Sequence, residues 1–502
     1  MRQDAETGSV AMRQDADRSA SVFGNAISTR GYRSAQKSKQ GYVRRFGDDS
    51  DMPHHLQIQP LPVIGQTLGV RNLAPAPADA APFAFPTGSR PVVVGNIRMG
   101  FGHYRISMAI ASAARALGYD PFWLDLMGFP ESTCSKIVSR QNDLYSLGSR
   151  LSQQVGLFNK VVWEPLNTEG FRKLSYNASD QKNAELMAPV LADLPSDVPF
   201  VATHAWPAQA AVHAGLTRVV NAIPDNWPMA LHLAEGAVHT VQTPSAYWGY
   251  RQLRGMDKDH VLQPMPGDAL RCVGHYVDHE LVEGIACDCE ARRVRAAADE
   301  PVRYLLSVGG AGAQFGLFAG IIEHLMPEIE AGRAMLMINV GDHRKVWDKL
   351  VRKLPVLGHA ECYFDDFART QAFADVARTE TVQGVHAFCH DDIFAAVYST
   401  NVLMRVCDVL VTKPSELSFY PVPKLMISRV GGHEAWGAVR AAEVGDGTYE
   451  MGSLEETCAT IDLLQADRTL VPFMCDRIEA AATAGVYNGA YRAVKLAVGE
   501  AS

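Results

Sequence analysis

The stretch PVVVGNIRMGFGHYRIS, from Pro91 to Ser107, decides the fold. Val92, Val93 and Val94 form an uninterrupted β-branched run, the pattern of a strand covered on both faces of a sheet. Gly100 and Gly102 allow a sharp turn and a close ligand approach. His103 stands at the mouth of a helix that continues through Met108, Ala109, Ile110 and Ala113. A helix N-terminus offers free N–H groups and partial positive charge, which suits an anionic ligand. Taken alone, the turn is open between a histidine satisfied by nearby backbone and one that faces a ligand.

The same grammar recurs downstream. Apolar runs at Phe122 to Leu124, Phe200 to Thr203, Val219 to Ile223 and His239 to Val241 alternate with helical patterns such as Ser107 to Leu117. The pattern starts afresh at Val302 to Val308 and continues through Ala334 to Val340, Thr381 to Val385, Cys407 to Val411 and Lys424 to Ser428. Strands alternating with helices predict an α/β protein with parallel sheets, here in two successive units. Ligands of such sheets bind beyond the carboxyl ends of the strands, so two facing units place the cleft between them. The predicted organisation is an extension and Pro/Ala linker over residues 1–88, disordered or draped over the first domain, a first Rossmann-like domain over 89–285, a second over 286–475, and helices over 476–502 that cross back to the first.

Composition narrows the function. The 502 residues are 47% hydrophobic and 20% charged, enough apolar material for more than one core. The formal net charge of −8 argues against a nucleic-acid partner. Nine cysteines are too sparse for a disulfide scaffold, and Cys287 with Cys289 lacks a second pair at zinc spacing. No apolar run reaches the ~18 residues of a membrane span, and the polar N-terminus has no signal-like apolar core. A cytoplasmic protein is the expectation. Arg30, Arg33, Lys37, Lys39, Arg44 and Arg45 leave contact with acidic surfaces or lipid head groups open.

The strand ends of the second unit are uniformly polar. Val302 to Val308 runs into Gly309-Gly-Ala-Gly-Ala-Gln314, a glycine turn before an apolar helix that can turn N–H groups toward phosphate. It lacks the Lys-Ser/Thr ending of a Walker A loop and is not G-x-G-x-x-G. Met337-Ile-Asn-Val-Gly-Asp-His343, Val411-Thr-Lys-Pro-Ser-Glu416 and Val430-Gly-Gly-His-Glu434 follow the other strands. Together they predict a polar ligand carrying phosphate and several hydroxyls.

These residues resemble a known family. Gly100-Phe-Gly-His103, Val220-Asn-Ala-Ile-Pro-Asp225, Cys407-Asp-Val-Leu-Val-Thr-Lys413, Ser415-Glu-Leu-Ser-Phe-Tyr-Pro-Val-Pro423 and Gly431-Gly-His-Glu434 are similar to motifs of the GT-B glycosyltransferases of family 28. That group includes monogalactosyldiacylglycerol synthase, the processive diacylglycerol glucosyltransferases and the N-acetylglucosaminyltransferase of the lipid-linked peptidoglycan precursor. The resemblance spans roughly Pro91 to Leu464. The chain departs from it where Lys413 runs through Pro414 directly into Ser415 and Glu416, a shorter connection than the family's, and where His433 replaces a glutamine.

The resemblance implies two doubly wound domains facing a cleft. It also implies an inverting, metal-independent hexosyl transfer from a nucleoside diphosphate sugar, UDP-linked in the family, to an acceptor hydroxyl, with no cofactor. His103 is implied as general base or as the group that orients the acceptor hydroxyl, the first a task that suits an imidazole near neutral pH. Gly309, Gly310 and Gly312 are implied under the diphosphate, Glu416 on the ribose hydroxyls, and His433 with Glu434 at the donor sugar. Gln314, Gly341, Lys413, Ser415 and Gly432 complete the expected donor side. Gly100, Gly102, His204, Trp206 and Asp225 form the expected acceptor side, with Thr203-His-Ala-Trp-Pro207 equally open to being a packed aromatic cap. The acceptor is a small molecule or a lipid, the latter implying peripheral contact with the inner membrane face. A non-catalytic nucleotide- or sugar-binding descendant and a nucleotide-sugar epimerase or hydrolase are the alternatives. Sugar, nucleotide and oligomeric state stay open.

Overall fold

The computed structural model describes residues 17–500 apart from 53, 78, 99, 155–169 and 309–313; the side chains of 145–154 and 433 are also outside the described set. A short antiparallel ribbon, β1 (Ser21–Val22) with β2 (Asn25–Ala26), precedes the first sheet. That sheet contains β3 (Leu56–Pro60), β4 (Arg71–Pro75), β5 (Pro91–Asn96), β6 (Asp120–Asp125), β7 (Phe200–Ala202), β8 (Val219–Ala222), β9 (Val238–Val241) and β10 (Leu270–Cys272). Its order is β10-β9-β8-β7-β5-β6-β4-β3, parallel throughout except for the β3–β4 pair at the edge. The second sheet contains β11 (Val302–Ser307), β12 (Ala334–Asn339), β13 (Glu361–Phe364), β14 (Gly384–Cys389), β15 (Val409–Thr412) and β16 (Lys424–Met426). Its order is β13-β14-β12-β11-β15-β16, and every pair is parallel.

The central strands are buried on both faces because their sequences are apolar on both faces. Val92, Val93 and Val94 are fully covered, each worth roughly 1.5–3 kcal/mol of burial. Val93 points into a core with Phe122, Phe200 and Trp206, and Val92 and Val94 into one with Met108, Trp123 and Val494. The second domain closes its own core around Tyr304, Leu306, Leu336, Phe388 and Leu410. The helix Leu470–Thr483 packs on Ile285–Ala297, and the terminal helix Gly489–Val498 returns to the Gly102–Ala116 helix of the first domain.

Both sheets reverse direction at their middle. The chain leaves β5 toward β6 on one side and later returns to β7 on the other. It leaves β11 toward β12 and returns to β15. Such a switch point opens a crevice at the carboxyl ends of the two diverging strands. The first switch point carries the Gly100–His103 turn and Thr203-His204; the second carries Gln314 and the Lys413–Glu416 segment. The domains meet with these two crevices facing, the GT-B arrangement. Among the described residues no helix is long and apolar enough to cross a membrane.

Of the two expectations for residues 1–88, the described part, from residue 17 on, follows the draped one and corrects the disordered one. The helix Thr29–Phe46 packs on the helix Leu174–Ala184, burying Gly31 and Ala35, and β3 and β4 extend the first sheet. Within the supposed Pro/Ala linker, Phe85 meets Phe122 edge-on at 4.8 Å. The apolar anchors here are widely spaced among polar residues, and an edge strand reading Leu-Gln-Ile-Gln-Pro buries little. Local composition therefore imitates a linker. Residues 1–16 lie outside the described set. The strand expected at Thr381 to Val385 begins instead at Gly384 and runs to Cys389.

Candidate functional site

At the first switch point, Gly100 takes a left-handed φ of 76°, which a glycine accepts without strain and which starts the Gly102–Ala116 helix at the end of β5. The first turn of that helix carries His103. Its Nδ1 lies 2.8 Å from the Thr203 carbonyl oxygen at the end of β7. A carbonyl only accepts, so Nδ1 holds the proton and Nε2 is left with its lone pair. Thr203 is itself braced by Ser107, hydroxyl to hydroxyl at 2.7 Å. Burial holds the His103 pKa below the ordinary 6.5, against the Thr203 carbonyl and the carboxylates of Asp225 and Glu416, which favour the charged form.

His204 meets the His103 ring edge-on at 4.9 Å. Its Nδ1 accepts the Trp206 N–H at 3.1 Å, capping the Ala205–His213 helix, so its proton sits on Nε2. Burial keeps its pKa well below the ordinary imidazole value. The two rings therefore carry opposite tautomers, one a proton acceptor at Nε2 and the other a donor. Asp225, just beyond β8 and one-third exposed, lies 3.3 Å from His232 Nε2. His232 is buried behind it, with Nδ1 2.5 Å from the Tyr250 hydroxyl. Trp206 does not line the cleft: at 4% exposure it belongs to the first core, its ring 4.9 Å from that of His204. Of the two readings of Trp206, the structure takes the packed aromatic cap and corrects the acceptor-side one, because the first turn of its helix faces the sheet.

Across the cleft, Glu416 opens the short helix Glu416–Phe419 after β15. Its Oε2 stands 3.3 Å from where a Cβ on Gly102 would be, and its Oε1 is 3.8 Å from Arg105 Nε. Arg105 is 2% exposed and donates to Asn401 at 2.6 Å and Thr400 at 3.2 Å, in the Ile393–Met404 helix of the second domain. Phe101 stacks on His343 at 5.6 Å. A Cβ on Gly341, whose φ is 60°, would fall 2.6 Å from the Phe101 ring. Gly341→Val is therefore expected to push the Phe101 turn away from the second domain. The check is limited proteolysis, with cleavage between the domains faster than in the wild type; unchanged digestion would show that the contact yields freely.

The remaining donor-side residues divide. Gln314, at φ 68°, donates to the Ser428 carbonyl at 2.5 Å, tying the start of the Phe315–Glu330 helix to the end of β16. Glu434 accepts the N–H groups of Val430 at 2.8 Å and Gly431 at 3.2 Å and pairs with Lys413, so these two side chains hold their own loops together. Gly432 lies in the one-turn helix Gly432–Glu434. Ser415 precedes Glu416, and its carbonyl accepts the Ser418 hydroxyl at 2.5 Å. Gly309, Gly310, Gly312 and the His433 side chain fall outside the described residues. Among the described residues no group of three or more His, Cys, Asp or Glu side chains could hold a metal ion. The sequence reading missed Arg105, His232 and Tyr250. Arg105 sits within an apolar helix, the one available signal; His232 and Tyr250 carry none.

Residues 21–252 match the family model described as Domain of unknown function (DUF6937), and residues 265–498 match Domain of unknown function (DUF6938). The first model takes in most of the segment before residue 88. No curated protein matches the chain. Among solved structures the chain is similar to UDP-GlcNAc 2-epimerase from Neisseria meningitidis bound to UDP-GlcNAc, at 11% identity over 82% of this chain and 100% of that one, with a TM-score of 0.42. It is also similar to α,α-trehalose 6-phosphate synthase from Burkholderia multivorans, at 14% identity over 82% and 99%, TM-score 0.43. A third is glycosyltransferase VinC in complex with dTDP, at 11% identity over 81% and 99%, TM-score 0.40.

Proposed function

We propose that this protein transfers a hexosyl group from a nucleoside diphosphate sugar to an acceptor hydroxyl, with inversion and without a metal. The observation that carries the reading is the facing of the two switch points. They set the His103 Nε2 lone pair on one side of the cleft and the Glu416 carboxylate on the other. In this reading His103 takes the acceptor proton as the acceptor oxygen bonds to the sugar's anomeric carbon. The bond from that carbon to the diphosphate breaks, and its electron pair leaves with the diphosphate. Glu416 accepts from the ribose hydroxyls, moving off Arg105 to do so. The N-terminus of the Phe315–Glu330 helix, with Gln314 at its mouth, supplies positive potential to the leaving diphosphate. The acceptor is a small molecule or a lipid; in the latter case the work is done at the inner face of the membrane.

The test is a thermal unfolding series with UDP, dTDP, GDP and their sugars. A ligand at 100 times its Kd adds about 2.7 kcal/mol to stability, enough to raise Tm measurably. Glu416→Gln is expected to weaken the nucleotide that binds by about tenfold, a loss of ~1.4 kcal/mol. No shift with any nucleotide would remove the reading. A second reading, hydrolysis or epimerisation of the nucleotide sugar, is favoured by one observation: the Asp225–His232 pair adds a second acid–base group beside His103. Consumption of the nucleotide sugar with no acceptor present would select it.

A further inference from the structure

Trp227 and Trp436 bring one indole from each domain into contact, with ring centroids 6.2 Å apart and planes 30° apart. Trp227 lies two residues beyond Asp225, and Trp436 two residues beyond Glu434. We propose that this pair is the acceptor subsite, a platform on which a pyranose ring of a saccharide acceptor stacks while offering a hydroxyl to His103. The proposal rests on the glycosyl-transfer reading and adds to it the class of acceptor.

The loop that carries Trp227 is fixed more firmly than a connection needs. Gln242 donates to the Pro224 carbonyl at 2.7 Å, and the Thr243 hydroxyl to Asn226 Oδ1 at 2.5 Å. The Tyr250 hydroxyl donates to the Trp227 carbonyl at 3.1 Å and accepts the Met229 N–H at 3.3 Å. The Arg172 guanidinium lies 4.8 Å from the centre of the Trp227 ring. A loop gripped in this way is preorganised, the condition for a precise binding surface. Yet the Trp227 Nε1–H is shut off from solvent with no acceptor among the described residues. An unmet buried donor of this kind costs ~1–3 kcal/mol, a strain the fold bears to hold the indole in this place.

Trp436 is the exposed member, 39% open to solvent. The next residue, Gly437, presses against the segment that carries Glu416: a Cβ there would stand 2.7 Å from the Pro414 carbonyl oxygen. The exposed indole is therefore held beside the expected donor position. A flat aromatic face with the one-third exposed Asp225 carboxylate two residues away matches a saturated sugar ring, which has C–H groups on its faces and hydroxyls on its rim. An acyl chain would use the face and bring hydrocarbon toward that carboxylate. In ligand sites, apolar and aromatic walls with a few placed polar groups are the usual lining.

The experiment uses the full-length protein and saturation-transfer NMR with methyl β-glucoside, methyl N-acetyl-β-glucosaminide, cellobiose and maltose. A parallel arm uses phosphatidylcholine vesicles containing diacylglycerol. At least one saccharide is expected to bind, and its affinity to fall by about tenfold or more in both Trp436→Ala and Trp227→Ala. Trp227→Phe, which keeps a smaller ring, is expected to fall between those and the wild type. No saccharide binding to the wild type, binding unchanged in both alanine variants, or tryptophan-dependent capture of the vesicles overturns the proposal. Nucleotide-induced Tm shifts, recorded on the same samples, separate the two failures. A wild type that binds saccharide and no nucleotide retains the platform and loses the transfer reading. One that binds nucleotide and no saccharide loses the platform alone.

Discussion

Replacing His103 with alanine is expected to lower kcat by roughly 10²–10⁴-fold, the range of a lost general base, with nucleotide binding retained. The reason is the single lone pair at Nε2, fixed there by the Thr203 carbonyl at Nδ1. His103→Gln sharpens the test, because its amide can still donate to Thr203 and cannot take a proton. Equal losses in both variants would identify the missing base, whereas full activity in the glutamine variant would leave His103 a packing residue. The pH profile carries a sign. Burial depresses the His103 pKa below 6.5, so the neutral, active form persists into mild acid and the acid limb of kcat/KM falls below pH 6.5. Asp225 and Glu416 hold that pKa up and His232 pushes it down. Asp225→Asn or Glu416→Gln should therefore move the limb further to the acid side. A limb at or above 6.5 in the wild type would contradict the buried, neutral imidazole.

The largest effect on stability is expected at Lys424. Its ammonium is fully buried and bonds the Tyr420 carbonyl at 2.7 Å, the Val422 carbonyl at 3.0 Å and Asp446 at 2.9 Å. Asp446, 1% exposed, also accepts the Tyr487 hydroxyl at 2.8 Å. Burial pulls the lysine pKa down and pushes the carboxyl pKa up, each countered by its partner. Removing one member strands the other without a counter-charge, which costs about 3–5 kcal/mol. Lys424→Met should lose that amount in urea unfolding, a large share of a typical total of about 5–15 kcal/mol. Lys424→Met combined with Asp446→Asn should lose less, since no bare charge remains. An unfolding midpoint like that of the wild type in the single variant would refute the assignment. The site feels this pair through the chain: β16 begins at Lys424 and leads into the loop of Glu434 and Trp436.

Much of the architecture was legible in the residues because the signals are local. Val92 to Val94, Phe122 to Leu124 and Val302 to Val308 read as buried strands from their own composition, and each lies within or across a strand of the structure. The segment up to residue 88 misled for a physical reason. Its anchors, such as Ala35 and Leu56, are apolar residues set among polar ones, and their partners lie elsewhere in the chain. Trp206 was undecided for the opposite reason: a tryptophan beside a strand-end histidine reads equally as a cleft wall or a packed cap, and only the packing decides for the cap.

The sequence by itself determined the parallel α/β class, the two successive units, the glycine turn before His103 and the polar character of the strand ends. All of these follow from β-branched runs, helical periodicity and turn chemistry, which act over a few residues. The tertiary structure alone decided which ends meet. Thr203 fixes the His103 tautomer only because β7 lies beside β5, a hundred residues apart in the chain. Glu416 reaches Gly102, Arg105 reaches Asn401, and Trp227 reaches Trp436 only because the two sheets turn their switch points toward each other. Lateral strand order and domain facing are set by long-range burial, which leaves no mark on any short stretch of sequence.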